Sequence, residues 1–266
     1  MPATASPDGN RIWRVATPQG TVLQKFYGER GGWLHAWARE LGTRLYGHKT
    51  STRAAGRRAT EARLLRLWRE AGLDVPEDLS GAHPDLANER TLVLEDVPGP
   101  LLSSALADRA LPDARREELL RRFGRQWCAR HRLALQRGEA ALVQEHATLQ
   151  HVIVSGERLV VFDLENAFRP RRDLGPILAK EIAATLRSLA KCVEPARLHR
   201  DLEVLIGAYE DTPRLAAAAG HYLDNPRPWW RLLWALDRRR ARLAGRHGDK
   251  YVMLEALRDT LENRAS

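Results

Sequence analysis

The stretch QEHATLQHVIVSGERLVVFDLEN, residues 144–166, decides the predicted fold. It opens as a polar segment, continues as the short apolar run HVIV at 151–154, turns at SGE and continues as RLVVF at 158–162. Two short β-branched runs joined by a glycine-containing turn predict a β-hairpin. The acidic residue Asp163 follows the second run directly.

Upstream of this hairpin, the chain has further strand-like runs. RIWRV at 11–15 and TVLQKF at 21–26 are separated by TPQG, which predicts a second hairpin, and TLVLE at 91–95 predicts a buried strand that leads into the linker DVPGP. Helical periodicity occupies 33–72, where it predicts two helices divided by the basic, polar stretch around Lys49 to Arg58, and also 113–137 and most of the chain from about 173. Strands followed by helices, without regular βαβ alternation, predict an α+β fold.

Length, charge and cysteine content narrow the class of protein. A chain of 266 residues with 44% hydrophobic residues can form one large domain or two lobes, which opposes disorder. The net charge of +9 favours an anionic partner, although a high-GC genome, which encodes arginine where others use lysine, explains the charge equally well. The arginines follow no nucleic-acid-binding motif. Two distant cysteines predict neither a disulfide framework nor a zinc site.

The sequence also bears on location. The N-terminal residues do not have the pattern of a signal peptide, and no apolar run reaches the roughly 18 residues that span a bilayer. We therefore expect a cytoplasmic protein, at most peripheral to the inner face of the membrane. A C-terminal segment, PWWRLLWALDRRRARLAGRHGDK at 228–250, is expected either to pack its tryptophans into the core or to lie on an anionic membrane.

Three residues are candidates for a phosphate site. Lys25 lies in a strand-like run, Glu61 opens the helical segment TEARLLRLW, and Asp163 ends the hairpin. Phosphoryl transfer needs a cation for the phosphates, a carboxylate that holds a metal ion and a base on a nearby loop. Each residue also has an ordinary explanation: a solvated lysine, a glutamate beside a helix dipole and an aspartate in a turn. Their order along the chain is what favours a shared site.

In that order and kind, the segments resemble the lipopolysaccharide-core sugar kinases, the heptose and Kdo kinases. FDLEN at 162–166 is similar to the metal-binding DFG-type segment, and 144–154 is similar to the kinase catalytic loop. The resemblance implies a two-lobed protein-kinase-like fold. Its strand-rich N-lobe, residues 1–97, has an abbreviated first strand, and its mainly helical C-lobe covers 98–266. A long helical insert at 29–60 also fits this family.

The resemblance assigns roles to individual residues and implies ATP and Mg²⁺ as cofactors. Lys25 pairs with the phosphates, Glu61 holds that lysine, and Asp163 binds Mg²⁺. Glu95 belongs to the hinge strand that holds adenine. His151 takes the position of the second metal-binding asparagine and contacts phosphate or the loop backbone.

The catalytic loop departs from the family pattern. His146 replaces the aspartate that acts as the base, Glu145 beside it is the substitute, and Gln144 replaces a histidine. Two functions stay open: an ATP-dependent phosphotransferase acting on a sugar hydroxyl of a core glycolipid, and a catalytically silent pseudokinase that binds nucleotide or a protein partner and regulates envelope chemistry. A zinc site from His146, His151 and Asp163 is a minor alternative.

The string His199-Arg200-Asp201 imitates a kinase HRD motif. No asparagine or histidine stands five residues after Asp201, and no strand ending in an acidic residue follows. The surrounding residues have helical periodicity. We interpret the string as a solvated turn of a helix.

Overall fold

The computed structural model describes residues 4–5, 9–29, 53–224, 235, 239 and 250–265. The chain divides into two compact units. The first comprises Met1–Gly99, Ala140–Glu145 and Ile153–Pro170, and the second comprises Pro100–Glu139, His146–Val152 and Arg171–Ser266. A small antiparallel sheet precedes a mainly helical remainder, so the predicted α+β class is confirmed.

The first unit contains a four-stranded antiparallel sheet. Its strands are β1 (Thr4–Ala5), β2 (Arg11–Thr17), β3 (Gly20–Phe26) and β4 (Thr91–Glu95), in the order β1-β2-β3-β4. The predicted hairpin of β2 and β3 is confirmed, and the registers place Lys25 between Ile12 and Leu92. Lys25 therefore lies on a strand with a hydrogen-bonded neighbour on each side.

Helix α1 (Ala54–Glu70) also belongs to the first unit. Its buried face follows helical spacing and carries the apolar residues Leu64, Leu65 and Trp68, and Trp68 Nε1 donates to the Ala141 carbonyl at 2.9 Å. The same face carries Arg57 and Glu61. The sequence predicted that Lys49–Arg58 separates two helices. This prediction is wrong from residue 54 onward, because α1 begins at Ala54. The first of those two predicted helices lies outside the described residues.

The second predicted hairpin is confirmed as β5 (Val152–Ser155) and β6 (Arg158–Val161). Gly156 makes the turn with φ +58°, a left-handed conformation that glycine adopts without strain. The chain after β4 passes close to this hairpin at Gly99, where a Cβ atom would lie 2.0 Å from the Val154 carbonyl oxygen. Only glycine fits at that approach.

The second unit is helical. Its described helices are α2 (Leu102–Ala107), α3 (Asp113–Arg137), α4 (Gly175–Cys192), α5 (Pro195–Tyr209), α6 (Thr212–Leu223) and α7 (Lys250–Ala265). Helices α3 and α5 meet closely at Gly124, where a Cβ atom would lie 2.9 Å from Ala208 Cβ. Gly124 is thus a small residue, among the larger arginines and leucines of α3, that sets the distance between the two helices.

A buried ionic network joins α3 and α4. Glu181 is 1% exposed and accepts from Arg130 Nη1 at 3.1 Å and from Trp127 Nε1 at 3.0 Å, with His131 Nε2 3.2 Å away. Burial alone would raise the pKa of Glu181, but Arg130 and His131 outweigh it and hold that pKa at about 2. The carboxylate is therefore ionised at neutral pH inside the helical core.

The HRD-like string lies on α5, so its helical interpretation is confirmed, but its solvated interpretation is wrong for Asp201. This residue is 2% exposed, and its carboxylate accepts from Arg116 Nη1 at 3.2 Å. Helical periodicity puts Asp201 beside the buried Leu202 and Leu205. The pairing with Arg116 compensates for the burial of its charge.

None of the described helices has both the length and the apolar character needed to cross a membrane. The segment 228–250 lies outside the described residues, except for Ala235, Arg239 and Lys250, so its two predicted locations stay predictions.

Candidate functional site

The predicted residues Lys25, Glu61 and Asp163 lie together in the first unit. Lys25 is 5% exposed, and its ammonium group donates to Glu61 Oε2 at 2.7 Å and to Asp163 Oδ1 at 2.6 Å. Glu165 Oε2 lies 4.0 Å from the same nitrogen. One buried cation thus faces three carboxylates from two distant segments of the chain.

The alternation of β3 explains the position of the lysine. Side chains two residues apart share a face of a strand, so Lys25 and Tyr27 both point to the buried side. The Tyr27 hydroxyl donates to Glu61 Oε2, and Lys25 Nζ lies 5.1 Å from the centre of the Tyr27 ring. Glu61 therefore receives two donors, one from β3 and one from the residue that follows its end directly, and is fixed in place.

Asp163 follows β6 in a left-handed conformation with φ 62°. Aspartate adopts this region more readily than most residues, yet a non-glycine residue there often marks a functional position. Its side chain is 28% exposed, whereas those of Glu61 and Glu165 are 2% and 3% exposed. Asp163 is thus the carboxylate of the three that solvent reaches most.

Glu165 has its own set of donors, which sequence reasoning missed. Arg57 Nη1 donates to Glu165 Oε2 at 2.9 Å, and Asn10 Nδ2 donates to the same oxygen at 2.8 Å. Arg57 precedes Glu61 by four residues, so the two share a face of α1. That spacing was a signal in the sequence, whereas nothing there connected Asn10 with Glu165.

The pKa shifts in the cluster follow from burial and charge. Burial by itself would lower the pKa of Lys25, but Glu61, Asp163 and Glu165 outweigh it and raise that pKa above its usual value. Burial raises the pKa of Glu61. Burial and the neighbouring Glu61 carboxylate also raise the pKa of Tyr27. Lys25 therefore stays a cation throughout the physiological range.

The carboxylates fit a hard divalent cation. Among the described residues, Glu61, Asp163 and Glu165 offer oxygens that all lie within 4.8 Å of one another. Asp163 is the most exposed of the three carboxylates, so it is best placed to hold Mg²⁺ with oxygens from another source. No histidine belongs to this group, and the zinc alternative gains no support.

Two other predicted residues of the first unit lie elsewhere. Glu95, at the end of β4, accepts from the Glu77 backbone N–H at 3.1 Å and lies 3.8 Å from Arg158 Nη1, so its carboxylate supports the strand edge. Glu145 is buried at 5% exposure, and Gln144 before it bridges to Ala167. The roles of Glu95 and Glu145 stay predictions.

His146 and His151 belong to the second unit. His146 is exposed, and its carbonyl oxygen lies 3.1 Å from His151 Nδ1. Ser188 on α4 anchors the loop, because its hydroxyl oxygen accepts from the Leu149 backbone N–H at 2.9 Å. The loop thus has a defined conformation with the His146 side chain on its surface. The predicted roles of both histidines stay predictions.

Comparisons with known proteins give little beyond this geometry. No model of a known protein family matches the chain, and no curated protein matches its sequence. A solved structure of WaaP in complex with acyl carrier protein is similar with a TM-score of 0.49 and 17% sequence identity, over 81% of this chain and 85% of that chain. A likeness of this degree carries no argument about function, which has to follow from the site itself.

Proposed function

We propose that this protein is an ATP-dependent phosphotransferase whose nucleotide phosphates and Mg²⁺ bind at Lys25 and Asp163. The observation that carries the proposal is the placement of the Lys25 ammonium between Glu61 and Asp163 at 2.7 and 2.6 Å. A buried lysine held by a helix carboxylate, next to a more exposed aspartate after a strand, is the arrangement that phosphoryl transfer uses in kinases.

Each residue has a distinct task in this proposal. Lys25 pairs with phosphate oxygens, and Glu61 keeps the ammonium in position while that happens. Mg²⁺, when bound, neutralises charge on the phosphates, and Asp163 is the residue that holds it. The exposed fraction of Asp163 supports this assignment, because a divalent ion that arrives with the phosphates can reach a partly exposed carboxylate.

In the reaction, an acceptor hydroxyl oxygen forms a bond to the γ-phosphorus of ATP while the bond to the β,γ-bridging oxygen breaks and ADP leaves. The hydroxyl proton passes to a base. His146 or Glu145 is proposed for that role on the loop pattern alone. The acceptor, a sugar hydroxyl of a lipopolysaccharide-core glycolipid, is proposed from the resemblance of the segments to the core sugar kinases.

A second candidate is a silent nucleotide-binding module that regulates envelope chemistry. The observation that favours it is His146, which stands where an aspartate base is expected. A neutral imidazole accepts a proton but brings no negative charge that aligns the hydroxyl. The two candidates share the nucleotide site and differ in turnover.

Titration calorimetry with ATP, with and without Mg²⁺, tests the shared site. We expect binding that Mg²⁺ strengthens, followed by ADP formation when purified core oligosaccharide is added. Binding without turnover on that acceptor supports the silent module. The absence of any nucleotide binding in both conditions would overturn both candidates.

A further inference from the structure

Arg57 is a fully buried cation directly behind the candidate site. Its relative exposure is 0%, its Nη1 lies 3.0 Å from Asn10 Oδ1 and 2.9 Å from Glu165 Oε2, and its Nη2 donates to the Gly28 carbonyl. The guanidinium group thus joins α1, the segment before β2, the segment after β3 and the segment after β6. It contacts Glu165 and is itself fully buried.

The two buried cations divide the carboxylates between them. Lys25 and Arg57 lie 5.1 and 5.8 Å from the centre of the Tyr27 ring, which both of them contact. Lys25 pairs with Glu61 and Asp163, and Arg57 pairs with Glu165. Glu165 is therefore bound to an arginine, although its oxygen is near enough to the other two carboxylates to share a metal ion with them.

The charges of the cluster show what Arg57 changes. With all five groups ionised, two positive and three negative charges leave a net charge of −1. Without Arg57 the net charge is −2, and Glu165 loses its strongest donor. Three carboxylates with oxygens within 4.8 Å would then attract a divalent cation directly.

We infer that Arg57 is a positioning residue that withholds Glu165 from the metal ion, so that a divalent cation binds at Asp163 only together with nucleotide phosphates. This inference rests on the proposed function for the identity of the nucleotide site. Mg²⁺ in such sites is held by one or two carboxylates plus substrate phosphates, and Arg57 keeps the number of available carboxylates low. Metal binding thereby depends on the nucleotide.

The test measures Mn²⁺ binding without nucleotide by electron paramagnetic resonance. The parent is expected to bind weakly and Arg57→Met about tenfold more tightly, because loss of one positive charge near a divalent ion has about that effect even in a water-like dielectric. Arg63→Met is the matched control, since it removes an exposed arginine from the same helix. It is expected to leave Mn²⁺ binding unchanged.

Two further variants test the release of Glu165, and of the two only Asn10→Ala separates that release from a general charge effect, because it leaves the net charge of the cluster unchanged. Arg57→Met combined with Glu165→Gln is expected to return Mn²⁺ binding to the weak parent value. Asn10→Ala removes the other donor to Glu165 and is expected to raise Mn²⁺ affinity about threefold, since a neutral donor contributes less than a charged one. Thermal melts of all variants check that each is folded.

Equal Mn²⁺ affinity in the parent and Arg57→Met, both folded, would overturn the inference. If Arg57→Met does not fold, Asn10→Ala decides, and an unchanged affinity overturns the inference in the same way. A parent that binds Mn²⁺ tightly without nucleotide also overturns it. Failure of ATP to bind the parent would instead refute the proposed function, because the Mn²⁺ comparison uses no nucleotide.

Discussion

The Lys25 ammonium lies 2.6 Å from the Asp163 carboxylate, although 138 residues separate the two in the sequence. Glu61 on α1 holds the same nitrogen from another direction at 2.7 Å. A buried cation with two charge-assisted bonds is held in one place. The lysine is thus already in position, and in the proposed function a phosphate group has to compete with a carboxylate for it.

Lys25→Met is expected to weaken Mg²⁺-dependent ATP binding at least tenfold, because the cation that pairs with phosphate is lost. Calorimetry measures the affinity. Arg14→Met on neighbouring β2 is the control, since the Arg14 side chain is 63% exposed. Unchanged ATP affinity in a folded Lys25→Met variant would place the nucleotide elsewhere.

We expect Asp163→Asn and Asp163→Ala to differ in stability but to have the same effect on Mg²⁺-dependent ATP binding. Both remove the carboxylate, so Mg²⁺ should no longer strengthen ATP binding in either. Asparagine tolerates the left-handed backbone at φ 62°, whereas alanine adds strain of about 1 kcal/mol. Melting temperatures should therefore fall further for alanine. If Mg²⁺ still strengthens ATP binding to Asp163→Asn, the metal has another ligand.

His146→Asp is expected to keep or raise turnover, because it restores the residue type that the loop carries in active kinases. Its exposed position means that the change should not disturb the core. ADP formation with core oligosaccharide measures the effect, and ATP affinity serves as the internal control. A large loss of turnover at constant affinity would show that the histidine has chemistry of its own.

Gly99→Ala is expected to destabilise the first unit by about 2 kcal/mol or more, because a Cβ atom would lie 2.0 Å from the Val154 carbonyl oxygen and φ is +136°. Gly81→Ala is the control, since a Cβ atom there meets nothing within 4 Å. Urea denaturation compares the two. Equal urea midpoints would mean that the chain near β5 moves to accommodate the Cβ atom without loss of stability.

Acid is expected to lower the stability of the second unit, because it protonates the Glu181 carboxylate. The pKa of this carboxyl is about 2 in the folded protein, below its ordinary value of 4.5, so its contribution to stability is present above pH 4.5 and is lost as the pH falls toward 2. Urea midpoints of the parent are expected to drop across that window.

Glu181→Gln should be less stable than the parent at pH 7 and show a shallower acid decline, because Arg130 loses its charged partner. Glu203→Gln, an exposed position on α5, is the control and should follow the parent. A parent and Glu181→Gln with parallel pH profiles would assign the acid sensitivity to other carboxyls.

Much of the local structure was predictable from the sequence. The alternating runs around TPQG and SGE predicted both hairpins, and periodicity predicted the helical segment that contains Glu61. Such patterns report on neighbours a few residues apart, which is why they gave elements and their approximate ends. The start of α1 was missed, because arginines on a buried helix face look like a solvated stretch until their partners are known.

The sequence by itself, through the order of its segments and their resemblance to the core sugar kinases, made Lys25, Glu61 and Asp163 candidates for one site. Only the tertiary structure decided that Glu165 is bound by Arg57 and Asn10, and that Asp201 is buried against Arg116. The physical reason is the cost of burying a charge. Such a charge needs a partner, and packing supplies that partner from segments as far apart as Asn10 and Glu165, 155 residues away.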